Sequence, residues 1–151
     1  MSQNCKYISS CDLKSAFWSI PLTQASRPYT TFTSPDGIKF QYTVTPFGLS
    51  TSPAALQTVL LNVFAFKRPH FKLYMDDICV ATGTWSEHLL AIQQMLQTLE
   101  KNCLTVNGAK CQFGFDEMSL LGFLISANGI RVDPKRIKII EKLAPPKKNK
   151  K

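Results

Sequence analysis

Apolar and polar positions divide the chain into short alternating runs and two longer helical ones. Lys6–Cys11 reads as a strand running up to Asp12, with a brief turn-helix over Leu13–Ser19 that Pro21 would end. Tyr29–Thr33 and Ile38–Thr43, rich in Thr, Phe and Tyr, flank Ser34-Pro35-Asp36-Gly37 and predict a β-hairpin. Ser52-Pro53 predicts a helix start, followed at helical spacing by Leu56, Val59, Leu60, Val63 and Phe64, with Pro69 closing the region. Phe71–Met75 and Ile78–Ala81 are apolar runs that predict a second hairpin with Asp76-Asp77 at its tip. Thr84-Trp85-Ser86-Glu87 has capping-box spacing and opens a helix whose apolar face would be Leu89, Ile92, Leu96 and Leu99. Asn107-Gly108 and Asn128-Gly129 are turn signals around strands at Gln112–Phe115 and Leu120–Ile125. Asp133-Pro134 caps a last helix carrying Ile137, Ile140 and Leu143. Hairpins interspersed with helices predict an α+β fold, an antiparallel sheet with helices on one face. A split βαβ arrangement would bring the Asp12 strand beside the Asp76-Asp77 hairpin.

At 151 residues and 44% hydrophobic content the chain suits one domain with a single core, and is too short for two. Its formal net charge of +8 fits an anionic partner, nucleic acid being the commonest. Lys147, Lys148, Lys150 and Lys151 account for half of that excess. That run reads equally as a solvated tail and as a segment that attracts phosphates without sequence preference. The five cysteines include no Cys-x-x-Cys pair, and with only two histidines a zinc site is not expected. Reduced thiols point to the cytosol or nucleus. The polar start Met1–Lys6 is not a signal peptide, and no apolar run reaches the roughly 18 residues of a membrane span.

The candidate chemistry lies in three carboxylates. Asp is disfavoured in strands, and two adjacent like charges repel. An isolated Asp-Asp is usually a solvated turn, yet no glycine or asparagine accompanies Asp76-Asp77. A divalent cation would stabilise such a pair. Magnesium takes oxygen ligands, commonly one or two carboxylates plus substrate phosphates. Two such ions about 4 Å apart can activate an attacking oxygen and stabilise a leaving one. Asp12 reads either as the third carboxylate of that centre or as a cap for the turn-helix after it.

The same residues resemble a known family. Asp12-Leu13-Lys14-Ser15-Ala16-Phe17-Trp18 resembles the first catalytic motif of reverse transcriptases. Pro46-Phe47-Gly48-Leu49-Ser50-Thr51-Ser52-Pro53 looks like the next, and Tyr74-Met75-Asp76-Asp77 is similar to the metal-binding motif. Ala109-Lys110-Cys111-Gln112-Phe113 and Leu121-Gly122-Phe123-Leu124-Ile125 resemble two later palm motifs, and Gly129-Ile130-Arg131-Val132-Asp133-Pro134 stands where the family places such a segment. The resemblance runs from Tyr7 to Pro146 and is nearest to Ty3/gypsy-type long-terminal-repeat retrotransposons, relatives of retroviral pol.

That resemblance implies a polymerase palm, an antiparallel α+β sheet with helices packed on one face, split βαβ and ferredoxin-like. It implies RNA-directed DNA polymerase activity, the two-metal, template-directed addition of dNTPs to a primer 3′-hydroxyl. Asp12 and Asp76 would ligate two Mg²⁺ ions, with Mn²⁺ as a substitute, Asp77 would complete the acidic centre, and the Leu13 carbonyl would join the metal sphere. Phe17 would press on the sugar and exclude a 2′-hydroxyl; an ordinary core phenylalanine is the alternative. Phe47 and Gly48 would line the nucleotide pocket and template strand. Lys110 would approach the triphosphate, or be a plain surface lysine. Leu121 and Gly122 would grip the primer end, with Tyr74 and Met75 packed beneath.

Two departures from the family pattern are Thr51-Ser52-Pro53, where Asn-Ala-Pro is frequent, and Ala109, where a first lysine is frequent. Nothing before Asp12 resembles a fingers segment, and no thumb, connection or RNase H segment follows. The expectation is therefore a palm over 1–146 with a basic tail at 147–151. Implied partners are an RNA or DNA template with primer, dNTP, and the fingers, thumb and RNase H segments of a pol polyprotein, with no membrane. The implied location is a cytoplasmic virus-like particle or the nucleus, not the secretory route. Two other readings are a catalytically incompetent palm remnant that binds nucleic acid or protein, and a basic single-strand binder that stacks Phe and Trp on bases.

Overall fold

The strand predicted ahead of Asp12 forms over Tyr7–Asp12 (β1) and becomes an inner strand of the main sheet. The structure is a computed structural model that describes residues 5–65 and 70–141. Pro69, Leu143 and the basic residues 147–151 lie outside that range. After β1 come two short strands, Phe32–Thr33 (β2) and Lys39–Phe40 (β3), then helix Ser52–Val63 (α1). Next are Phe71–Tyr74 (β4), Asp77–Thr82 (β5), helix Trp85–Lys101 (α2) and Gln112–Phe115 (β6). A second sheet holds Glu117–Leu120 (β7), Phe123–Ser126 (β8) and Gly129–Val132 (β9), before helix Pro134–Glu141 (α3).

The main sheet has the order β4-β5-β1-β6 with every pairing antiparallel. β1 and β5 pair along their whole length, from Tyr7 opposite Thr82 to Asp12 opposite Asp77. Side chains alternate across a strand, so Cys11, Ile78 and Val80 face one way and Ile8 and Cys79 the other. The first set packs against Leu56 and Leu60 of α1, Phe64 just after it, and Ala91, Met95 and Leu99 of α2. The second set packs against Met118 and Ile125 of the second sheet. Helices thus cover one face of the sheet, as the α+β pattern predicts. The β7–β9 layer covers the Ile8–Cys79 part of the other face. Among the described residues no helix is long and apolar enough to cross a membrane.

Several local expectations change. The first hairpin pairs only Phe32 with Phe40 and Thr33 with Lys39, because Arg27–Thr30, with Pro28 in its first turn, winds into a 3₁₀ turn that takes Tyr29 and Thr30 out of the strand. The turn-helix after Asp12 shrinks to a 3₁₀ turn at Ala16–Ser19. Ser52 is not the cap of α1. Thr51 holds that position without a side-chain bond, and Ser52 Oγ instead donates to the Pro46 carbonyl, 3.3 Å away. Leu120–Ile125 is not one strand, since Leu121 and Gly122 form the β7–β8 turn at φ 52° and 82°. In α3, Asp133 caps as predicted, its Oδ1 accepting from the Lys135 N–H, but Ile137 is exposed.

The largest correction concerns α2. Its cap holds, with Thr84 Oγ1 accepting from the Glu87 N–H. Its buried face, however, is His88, Ala91, Met95, Thr98 and Leu99, whereas Leu89 and Leu96 are 50% and 40% exposed. Two polar residues hide this face from an apolar count. His88 is fully buried between Ser9 and Thr82. Thr82 Oγ1 donates to the Thr84 carbonyl, so it accepts from His88 Nδ1–H, and Nε2 accepts from the Ser9 hydroxyl. The Gly114 N–H donates to the same Ser9 oxygen. Burial holds His88 below its ordinary pKa of 6.5, which fits this neutral tautomer.

Met95→Ala is expected to cost about 2–5 kcal/mol in chemical denaturation, and Leu96→Ala under about 1 kcal/mol; equal costs would contradict the observed face. A depressed histidine pKa stabilises the fold above 6.5 and loses that contribution as pH falls below it. The unfolding midpoint of the parent chain should therefore drop between about pH 7 and about pH 5 by more than that of His88→Gln, as followed by circular dichroism.

Candidate active site

The last pair of the β1–β5 ladder sets Asp12 directly opposite Asp77. By the two-residue period both side chains share the face of Ile8 and Cys79, away from the helices. Directly opposed side chains in such a ladder stand about 5 Å apart at Cβ. Only Asp76 lies at the hairpin tip; Asp77 is already inside β5, paired with Tyr74 as well as Asp12. The tip is the two-residue turn Met75-Asp76. Met75 adopts φ 53°, at a turn position that favours glycine. Such a conformation costs on the order of 1 kcal/mol, so neighbours must hold it. They do so from both sides. The Leu13 N–H donates to the Asp76 carbonyl at 2.9 Å, and the Met75 N–H donates to Gln57 Oε1 at 2.8 Å. The Asn107 N–H donates to the Asp12 carbonyl at 2.8 Å, fixing the end of β1.

Charge accumulates here. The Asp77 carboxyl is pushed above its ordinary 3.8, first by burial, then by the negative charges of Asp76 and Asp12, with Lys110 opposing. Lys110 Nζ stands 3.5 Å from Asp12 Oδ2, on a side chain that is mostly exposed, where an ion pair contributes little. Among the described residues no three His, Cys, Asp or Glu side chains converge into a ready-made metal cage.

A cleft of about 250 Å³ opens at this point and brings together Asp12, Leu13, Phe17, Phe47, Asp76 and Lys110. After Ser15, at φ 54°, Ala16 is buried in the core and Phe17 packs against that core part-buried, and both line the cleft. The Phe17 and Phe47 rings meet edge-on at 5.5 Å, and Trp18 meets Phe47 at 5.9 Å. Phe47 is 63% exposed, and Gly48 beside it uses φ 91°. Asp77, Gly48, Tyr74 and Met75 adjoin the cleft through the chain without lining it. Leu121 and Gly122 also stand outside it, in the β7–β8 turn, where the Asp133 N–H donates to the Gly122 carbonyl. Sequence reasoning missed Gln57, Asn107 and Ser15. Asn107 carried a turn signal, but nothing local marks Gln57. A larger groove of about 640 Å³ runs past Leu89, Leu96 and Val106 and contains none of Asp12, Asp76 and Asp77.

Comparison with known proteins converges on the family suggested by these motifs. Residues 1–125 match the family described as reverse transcriptase (RNA-dependent DNA polymerase). The retrovirus-related Pol polyprotein from transposon opus of Drosophila melanogaster is 32% identical over 147 residues, covering 95% of this chain and 14% of that protein. The transposon Tf2-3 polyprotein of Schizosaccharomyces pombe is 34% identical over 128 residues, covering 84% of this chain and 10% of that one. The chain thus spans a small part of the relatives it matches. Among solved structures, the foamy viral protease-reverse transcriptase in complex with RNA/DNA hybrid superposes with TM-score 0.85 at 29% identity, over 95% of this chain and 19% of that one. Since the family match takes in Asp12, Asp76, Asp77 and every residue that lines the cleft at the end of β1, this chain belongs to the reverse transcriptase (RNA-dependent DNA polymerase) family.

Proposed function

We propose that this chain carries the catalytic centre of an RNA-directed DNA polymerase, which joins a primer 3′-hydroxyl to the α-phosphate of a dNTP and releases pyrophosphate. The observation that carries this reading is the Asp12–Asp77 pair, with Asp76 in the adjoining turn, on the face of the sheet opposite the helices. The donor set is all oxygen, and burial together with the neighbouring like charges raises the Asp77 pKa, so the site suits a hard divalent cation. Magnesium, usually held by one or two carboxylates and substrate phosphates, does not need a complete protein cage. Asp12 and Asp76, with the Leu13 carbonyl, would hold two Mg²⁺ ions, and Asp77 would add to the field. Bound there, the ions would lower the proton affinity of the primer hydroxyl and offset charge on the phosphates.

The other residues position substrate. Phe17, braced edge-on by Phe47, would contact the sugar of a bound nucleotide and disfavour a 2′-hydroxyl. Phe47 and Gly48 flank the base and the template strand. Lys110, already in reach of Asp12, would turn its ammonium toward the triphosphate. Leu121 and Gly122 would bear on the primer end. A primed RNA or DNA template is the polymer substrate, and further pol segments would complete its grip. Two structural neighbours hold an RNA/DNA hybrid and a ds DNA, which supports such a substrate. Catalysis on this reading comes from alignment and charge stabilisation.

In primer extension with Mg²⁺ or Mn²⁺, Asp76→Asn should cut the rate at least about a hundredfold. Extension that survives the substitution would remove Asp76 from the centre, and a parent chain that binds primer-template without extending it would favour a binding module. A carboxyl with a raised pKa destabilises the fold as pH climbs from 3.8 through the raised value. Asp77→Asn should therefore melt higher than the parent near pH 7, with the gain vanishing below pH 3.8, where both states are protonated. An unchanged or lower midpoint near pH 7 would contradict the cost of burying that charge beside Asp76 and Asp12.

A further inference from the structure

Gln57 sits on α1, eighteen positions before Met75 and sixteen before Leu73, and its amide reaches both. Oε1 accepts from the Met75 N–H at 2.8 Å, and Nε2 donates to the Leu73 carbonyl at 3.2 Å. These two backbone groups are the ones a further strand would engage. β4 is an edge of the main sheet, so a carbonyl and an N–H two residues apart point away from β5 with no ladder partner. One side-chain amide presents a carbonyl and an N–H as a peptide group does. It therefore closes the edge at the point where the chain enters the strained Met75 conformation.

We propose that Gln57 is a positioning residue for the acidic centre, fixing the Met75-Asp76 turn from the helix side while the Leu13 N–H fixes it from the β1 side. The inference rests on the polymerase reading for its catalytic consequence, but the pinning itself does not. Gln57 does not line the cleft, so it acts through Asp76 rather than on substrate. Glutamate at this position keeps the acceptor for Met75 and loses the donor to Leu73. Methionine keeps the length and loses both.

Amide hydrogen exchange on the full chain tests the pinning without reference to activity. Gln57→Met should speed exchange of the Met75 N–H at least about tenfold, while amides in the middle of β5 stay as in the parent. Gln57→Glu should keep most of the Met75 protection. Parent-like protection of Met75 in Gln57→Met, or loss spread evenly over the sheet, would overturn the proposal. In primer extension, Gln57→Met should raise the Mg²⁺ concentration for half-maximal rate and lower kcat by about tenfold, with KM for dNTP changed less than about twofold. A parent-like Mg²⁺ requirement and kcat would overturn the catalytic part. An inactive parent chain would instead sink the polymerase reading and leave the exchange result to decide the pinning.

Discussion

The β1–β5 ladder is the constraint on which the rest depends. It is the longest pairing in the main sheet, and it fixes which side chains enter which layer. Cys11, Ile78 and Val80 go toward the helices, and Ile8 and Cys79 toward the second sheet. The same alternation leaves Asp12 and Asp77 side by side. A slip of β1 by one residue would turn Ile8 and Asp12 over and send the Asp12 carboxylate into the helix-side core, where unpaired charge costs several kcal/mol or more. Burial on both faces therefore enforces the register that the site needs.

Within that frame the acidic centre is unfavourable for the fold and suited to a ligand. The negative charges of Asp76 and Asp12 act on the partly buried Asp77 carboxyl, and Lys110, loosely paired with Asp12, opposes them. A domain built for stability alone would not retain this arrangement. The surrounding backbone bonds, from Leu13, Asn107 and Gln57, offset the cost by leaving the turn little freedom to separate the charges. On the proposed polymerase reading, such preorganisation is what electrostatic catalysis requires, since charged groups must already be in place when substrate arrives.

Much of this was legible in the chain. The strand before Asp12, the α1 and α2 helices and the β4–β5 hairpin could be read because their periodicities are strong and their caps and turns have specific chemistry. The orientation of α2 was not, because His88 and Thr98 occupy core positions as satisfied polar groups and so break the apolar count. The first hairpin is shorter than the run of Thr, Phe and Tyr suggests, because the 3₁₀ turn begun at Arg27-Pro28 carries on through Tyr29 and Thr30. Asp12, Asp76 and Asp77 were identified through motif order. Their pairing required long-range register, and Gln57 required tertiary contact, which no local pattern encodes.

The two tight turns differ in a way that bears on time. Leu121-Gly122 has positive φ at both residues with glycine at one, so the β7–β8 hairpin can close by local preference. Met75-Asp76 has no such preference and is held by α1 and by the residue after β1. The carboxylate loop is thus completed only once distant parts of the chain have docked. Its conformation therefore depends on that docking, and loss of either contact would release it. A partly folded chain would accordingly lack an organised acidic centre, coupling the appearance of the site to completion of the domain.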